Sequence, residues 1–257
     1  MRLVCSFFMM SFFALAGMCH GSVVFQLDAR KNVSVSTDGS NVVWTALQGM
    51  RVAGAKDEWG KVGDGVSNVK GALAGPLVFA EGSVDGDAVM KSAVLVVRTA
   101  PSLRARETLF CGELVFRLAG EPENKSDGNL AAGFEQDGNV NNLALWRVDG
   151  VEGAGLESGR VQLVEVVFGR GMKLSEVALG SDWGRREWRR AFGGALCEVV
   201  VFDDEPSESV LTATRHYLNL KWSLGLELPK STASQRSEAG AQGVNLGSIF
   251  ATIFMVK

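Results

Sequence analysis

Short valine-rich runs separated by Asp-Gly dipeptides constrain this chain more than any other feature of its sequence. Such runs stand at Val23 to Leu27, Val33 to Val35, Val42 to Trp44, Leu77 to Phe79, Ala93 to Val97, Leu114 to Leu118, Leu143 to Val148, Val161 to Phe168 and Leu196 to Phe202. Each has the length of a strand, and β-branched valine packs well on a pleated surface. Between them lie Asp38-Gly39, Asp64-Gly65, Asp85-Gly86, Asp127-Gly128, Asp137-Gly138 and Asp149-Gly150. These dipeptides tolerate the positive φ of tight turns, so a string of hairpins is expected. The 257 residues include 32 valines, 31 glycines and only two isoleucines, which disfavours long helical bundles. No fixed-period repeat is evident and nothing alternates strand with helix, which argues against a parallel α/β sheet. The expected fold is all-β: an antiparallel two-sheet sandwich of jelly-roll character.

One helix is predicted near the C-terminus, packed on the sandwich. Glu205-Pro206-Ser207 marks its start, with Ser207 as N-cap, and Val210, Leu211, Thr214, Tyr217, Leu218 and Trp222 recur near the 3.6 period before Gly225. The apolar stripe should face the sheet, leaving Arg215 and His216 to point elsewhere, with His216 solvated.

The N-terminus has the order of a secretory signal peptide. Met1-Arg2 precede an apolar run from Leu3 to Ala16, followed by Gly17-Met18-Cys19-His20-Gly21. Residues 1–21 are therefore expected to be removed between Gly21 and Ser22, and the protein to be periplasmic, cell-surface or extracellular. The apolar run is shorter than the ~20 residues that span a bilayer, which disfavours an uncleaved anchor. The bulky Met18 before Cys19 disfavours lipidation.

From Ser22 onward two cysteines remain, Cys111 and Cys197, and a single histidine, His216. An even pair in an exported chain invites a disulfide, the alternative being two small buried hydrophobes on different strands. One histidine and no Cys-x-x-Cys spacing leave no ligand set for zinc. The net charge of −3 lacks the basic excess of a general nucleic-acid binder.

After Pro229 the chain changes character. Residues 229–257 are read as a flexible polar linker, Lys230 to Gly243, and a short apolar tail, Val244 to Val256. A helix over that tail would cover roughly 20 Å, less than the ~30 Å hydrocarbon core, so any membrane contact would be superficial.

The stretch Phe192-Gly193-Gly194-Ala195-Leu196-Cys197-Glu198-Val199-Val200-Val201-Phe202-Asp203, followed by the Ser-capped helix ending Tyr217-Leu218-Asn219-Leu220-Lys221-Trp222, carries a resemblance. It is similar to the closing strand and helix of bacterial laminin-G-like domains of the concanavalin A-like lectin/glucanase superfamily. Leu27-Asp28-Ala29 with Trp44, the Ala93 to Arg98 strand, and Leu179-Gly180-Ser181-Asp182 agree with it. The resemblance covers roughly residues 24–225 and assigns 22–228 to one domain. It implies a jelly-roll sandwich serving as a carbohydrate-binding or adhesive module. Cys197 departs from the family, where a small alanine is usual.

Catalytic signatures are weak. The superfamily's hydrolases place carboxylates as Glu-x-Asp-x-x-Glu on one strand; the nearest string here, Glu135-Gln136-Asp137-Gly138-Asn139-Val140, lacks the last acid. Glu198 should share a face with Leu196, Val200 and Phe202 by simple alternation, and a structural pairing is its expected role. No Gly-x-Ser-x-Gly string occurs. Asp137, Asn139 and Asn141 begin a calcium-loop spacing, but position six is Asn142 and position twelve is Val148, so an ordinary polar turn is expected and no cofactor is assigned. The densest unusual string is Asp182-Trp183-Gly184-Arg185-Arg186-Glu187-Trp188-Arg189-Arg190. Its tryptophans offer flat faces for sugar rings, and its arginines offer planar donors for hydroxyls, carboxylates or sulfates. Asp182, Trp183, Arg185, Arg186 and Trp188 are thus the candidate ligand-binding residues, against the alternative that a tryptophan caps the core. The leading expectation is an exported, non-catalytic module that binds carbohydrate or another cell-surface ligand. A structural cell-envelope protein with protein–protein contacts is the alternative, and a glycoside hydrolase or lyase stands third.

Overall fold

The computed structural model describes residues 21–70, 74–112, 114–120, 125–134, 143–181 and 191–246. Sixteen strands are present among them: β1 (Val23–Asp28), β2 (Val33–Val35), β3 (Asn41–Thr45), β4 (Arg51–Ala55), β5 (Trp59–Val62), β6 (Gly65–Asn68), β7 (Leu77–Phe79), β8 (Val89–Arg98), β9 (Thr108–Cys111), β10 (Leu114–Leu118), β11 (Leu130–Phe134), β12 (Leu143–Val148), β13 (Val151–Glu152), β14 (Val161–Lys173), β15 (Ala178–Leu179) and β16 (Ala195–Phe202). They form two antiparallel sheets. One runs β13-β12-β14-β8-β16-β6-β5, with β1 also pairing β16; the other runs β11-β10-β9-β15-β7-β4-β3-β2. The chain is therefore mostly β, two antiparallel sheets face to face, as the hairpin pattern predicts.

The core lies between the sheets. Ala93, Leu95, Val97, Val164, Val166, Val199 and Val201 of the first sheet, with Trp59 of its edge strand β5, meet Trp44, Phe110 and Phe116 of the second, all buried. The opposite face of the first sheet is also covered. Val94, Val96, Leu163, Val200 and Phe202 pack against α1 (Glu208–Trp222) through Val210, Leu211, Tyr217 and Leu218. Burial on both faces explains why β8 and β16 read as near-continuous apolar runs, whereas one-sided strands alternate. The Asp149-Gly150 turn joins β12 to β13 with φ of 54° and 84°, the conformation that this dipeptide favours.

Helix α1 starts at the predicted cap: Ser207 Oγ accepts from the Val210 amide at 3.3 Å. It ends at Trp222, where Ser223 adopts a left-handed conformation at φ 51°. Arg215 does not point away as expected. It is buried, and its guanidinium pairs with Glu165 of β14 at 2.9 Å and Glu208 at 2.6 Å. Glu165 also receives Arg147 of β12 at 2.6 Å. Burial pushes the Glu165 carboxyl above its usual range, against the pull of the two guanidinium groups.

Two further expectations are corrected. The predicted flexible linker contains a second helix, α2 (Ala233–Ala241), opened by a Thr232/Gln235 capping box. It docks on α1: Ser207 Oγ donates to Glu238 Oε1 at 2.6 Å, and Ala239 is fully buried. The two cysteines are not bridged. Cys111 belongs to β9 in the second sheet, while Cys197 faces the helices from the far side of the first sheet. A whole sheet separates them. Burial pushes the Cys197 thiol up to about 11.

Candidate functional site

Two places carry chemistry that the fold positions. The first lies under the helices, where β1 pairs with β16 and sets Asp28 opposite Glu198. Glu198 faces the helices with Val200 and Phe202, and a bulge between Leu196 and Glu198 breaks the alternation before it, putting Leu196 on the opposite face, in the inter-sheet core. The predicted face is thus right for Val200 and Phe202 and wrong for Leu196.

There Glu198 is fully buried and each of its oxygens is engaged. Gln26 Nε2 donates to Oε1 at 2.7 Å; Trp222 Nε1 donates to Oε2 at 2.7 Å, and Lys221 Nζ pairs with the same oxygen at 2.7 Å. Lys221 also donates to Asp28 Oδ2 at 2.7 Å. Burial pushes the Glu198 carboxyl up and acts against the Lys221 charge, yet the adjacent carboxylates hold the Lys221 ammonium above its usual value. Such saturation makes a clamp of sheet to helix, the structural role expected for Glu198, with a lysine, an indole and an amide as partners. The signal for it was present in Val23–Asp28, where Gln26 and Asp28 interrupt an apolar strand at alternate positions. Only Glu198 was singled out in the sequence; Gln26, Asp28 and Lys221 were missed.

The clamp is roofed by the C-terminal segment. The Gln26 side-chain amide holds the Asn245 backbone at two points: its oxygen accepts from the Asn245 amide at 3.0 Å and its nitrogen donates to the carbonyl at 3.4 Å. His216, expected to be solvated, is partly buried and ties the start of this segment. Its Nδ1 accepts from the Ser231 amide at 3.1 Å and lies 2.8 Å from the Ser231 hydroxyl. Burial, then Arg236 and Lys230, keep its pKa below the usual value.

The second place is the base from which residues 182–190 leave and return. Asp182, Trp183, Arg185, Arg186 and Trp188 lie outside the described residues, as do Asp137, Asn139 and Asn141. The two flanks are described and are held together: the Phe192 amide donates to the Gly180 carbonyl at 2.7 Å. Ser181 Oγ donates to the Ala74 carbonyl at 2.8 Å, and Ala191 bridges to Thr108. Gly180 has φ 72°, and a Cβ there would stand 2.5 Å from Trp59 Cη2. Gly193 lies against the buried Glu107, whose Oε1 would be 2.8 Å from an added Cβ.

The other four tryptophans are committed to packing. Trp44 and Trp59 are fully buried, Trp59 Nε1 donating to the Gly75 carbonyl at 2.7 Å. Trp146 packs against the inter-sheet core with Nε1 on the Ala154 carbonyl, and Trp222 completes the clamp. Among the described residues no group of His, Cys, Asp or Glu is disposed to hold a metal ion, and no helix is long and apolar enough to cross a membrane. No family model, curated protein or solved structure matches the chain.

Proposed function

We propose that the chain is an exported, non-catalytic carbohydrate-binding module, a jelly roll of laminin-G-like type whose ligand is taken by residues 182–190. The observation that carries this reading is the pinched base. The flanks of a nine-residue segment with two tryptophans and four arginines are joined by the Gly180–Phe192 hydrogen bond, and Gly180 packs on Trp59. A rigid base lowers the ordering cost of binding, and the remaining tryptophans are occupied elsewhere. Aromatic faces with guanidinium donors suit sugars bearing hydroxyl, carboxylate or sulfate groups. The three buried acids under the helices, Asp28, Glu165 and Glu198, are committed to internal ion pairs, which supports a binding role over a hydrolytic one.

A glycan array probed with the exported protein tests this reading. Binding to acidic or sulfated glycans is expected, and Trp183→Ala or Trp188→Ala should weaken it by about 1–3 kcal/mol with little change in Tm. Absence of binding to any glycan would leave the cell-envelope structural role, with protein–protein contacts, as the better account. A sharp fall in Tm would assign that ring to the core.

A further inference from the structure

We propose that removal of residues 1–21 does more than release the protein: it creates an N-terminal ammonium at Ser22 that the Asp203 carboxylate receives, tying the mature chain end to the junction between β16 and α1. The proposal rests on the export reading for the cleavage point and on the described geometry for the contact.

The geometry is already in place in the unprocessed chain. The Ser22 amide nitrogen donates to Asp203 Oδ1 at 2.5 Å, while the Asp203 amide donates back to the Ser22 carbonyl at 3.1 Å. The backbone bond continues the β1–β16 ladder one residue beyond Val23 and Phe202, and it sets the Ser22 nitrogen beside the Asp203 side chain. Ser22 and Asp203 also line an open depression with Val24, Asp87 and Asp204.

Hydrolysis of the Gly21–Ser22 bond by a leader peptidase adds one water across it. The Gly21 carbonyl carbon departs as a carboxylate on the leader, and the Ser22 nitrogen becomes a primary amine that takes up a proton. One neutral amide donor is thereby replaced by three donors bearing a positive charge, which strengthens the contact with Asp203. The peptidase must act before folding. In the folded chain Gly21 is buried against the Asp204 backbone, so closely that a Cβ would lie 2.5 Å from the Asp204 carbonyl oxygen. Every strand and both helices begin after Ser22, so the processed chain keeps the whole described fold.

Two measurements test the proposal separately from its premise. N-terminal sequencing of the exported protein is expected to read Ser22 first, and any other start overturns the processing step. The second uses the chain from Ser22 to Lys257, released from a fusion cut immediately before Ser22. Its α-amine, reductively methylated with a 13C label to preserve its charge, is titrated by NMR in the native chain and in Asp203→Asn. The native amine should titrate roughly half a unit to one unit above the ordinary ~7.7–8.0, with the difference shrinking in high salt. Asp203→Asn should return most of that shift, and should lower Tm more in this chain than in one that retains Gly21. An ordinary pKa in the native chain, or equal Tm losses in the two chain forms, would overturn the ion pair even if the start at Ser22 is confirmed.

Discussion

Asp28 and Glu198 face each other across the β1–β16 pairing and share one ammonium, Lys221 Nζ, at 2.7 Å from each. Two buried acids on the sheet therefore depend on one helical cation for the balance of their charge.

Lys221→Met should therefore be among the most damaging single changes in the described fold. Removing one partner of a buried ionic group typically costs about 3–5 kcal/mol. The pH dependence should carry a signature too. Burial already holds the Glu198 carboxyl above its unfolded value; without the Lys221 charge it rises further, so the stability Glu198 contributes is greatest at acid pH and is lost as pH rises through its folded value. Urea denaturation between pH 4 and 8 measures both effects. A variant whose stability is flat with pH would count against the shared cation.

The docking of α2 should weaken in acid through His216. Its folded-state pKa is held below the unfolded value, so its contribution is complete above about pH 6.5 and is lost as pH falls through the lowered folded value. Protonation removes the Nδ1 lone pair that accepts from the Ser231 amide. Amide hydrogen exchange over α2 should accelerate on going from pH 7.5 to pH 5, after correction for intrinsic rates. His216→Ala should exchange fast at both values.

Oxidised protein should show no bridge between Cys111 and Cys197 in non-reducing mass spectrometry. With its thiol pushed up to about 11, Cys197 should also resist alkylation in the native state. At pH 8 only about one thiol in a thousand is thiolate, and the residue is fully buried. Rapid labelling of Cys197 without denaturant would show that the helix layer opens readily.

Gly180→Ala should disrupt the pinched base. Left-handed φ costs a non-glycine residue of order 1–3 kcal/mol, and the added methyl would strike the Trp59 ring. A loss of about 2–4 kcal/mol is expected from strain and overpacking together, read by calorimetry. If residues 182–190 bind glycan, affinity should fall in the same variant.

Local chemistry alone was enough to read much of the scaffold. Val33–Val35, Leu77–Phe79, Leu114–Leu118 and Leu143–Val148 are strands with the predicted ends, and Ser207 caps the predicted helix. Those features depend on neighbours within a few residues: β-branched side chains, positive-φ turn dipeptides, and a hydroxyl placed before a helical stripe. The strands that escaped, such as Arg51–Ala55 and Gly65–Asn68, are rich in glycine or polar residues and take their conformation from pairing. Helix α2 escaped for a related reason: it buries one alanine, and only its Thr232/Gln235 capping box marked it locally.

Short-range preferences legible in the residues set the short strands, their turns and the capped start of α1. Which side chains meet is settled by the packing of distant parts of the chain. Gln26 and Glu198 are 172 positions apart, and the bulge in β16 that moves Leu196 to the inter-sheet face leaves no trace in the alternation of residue types. The same holds for the cysteines, which a sheet between them keeps apart whatever their count suggests. Strand and turn preferences act over a few bonds, whereas register, bulge position and the face of a sheet are settled by packing the whole core at once, when every buried charge must also find its partner.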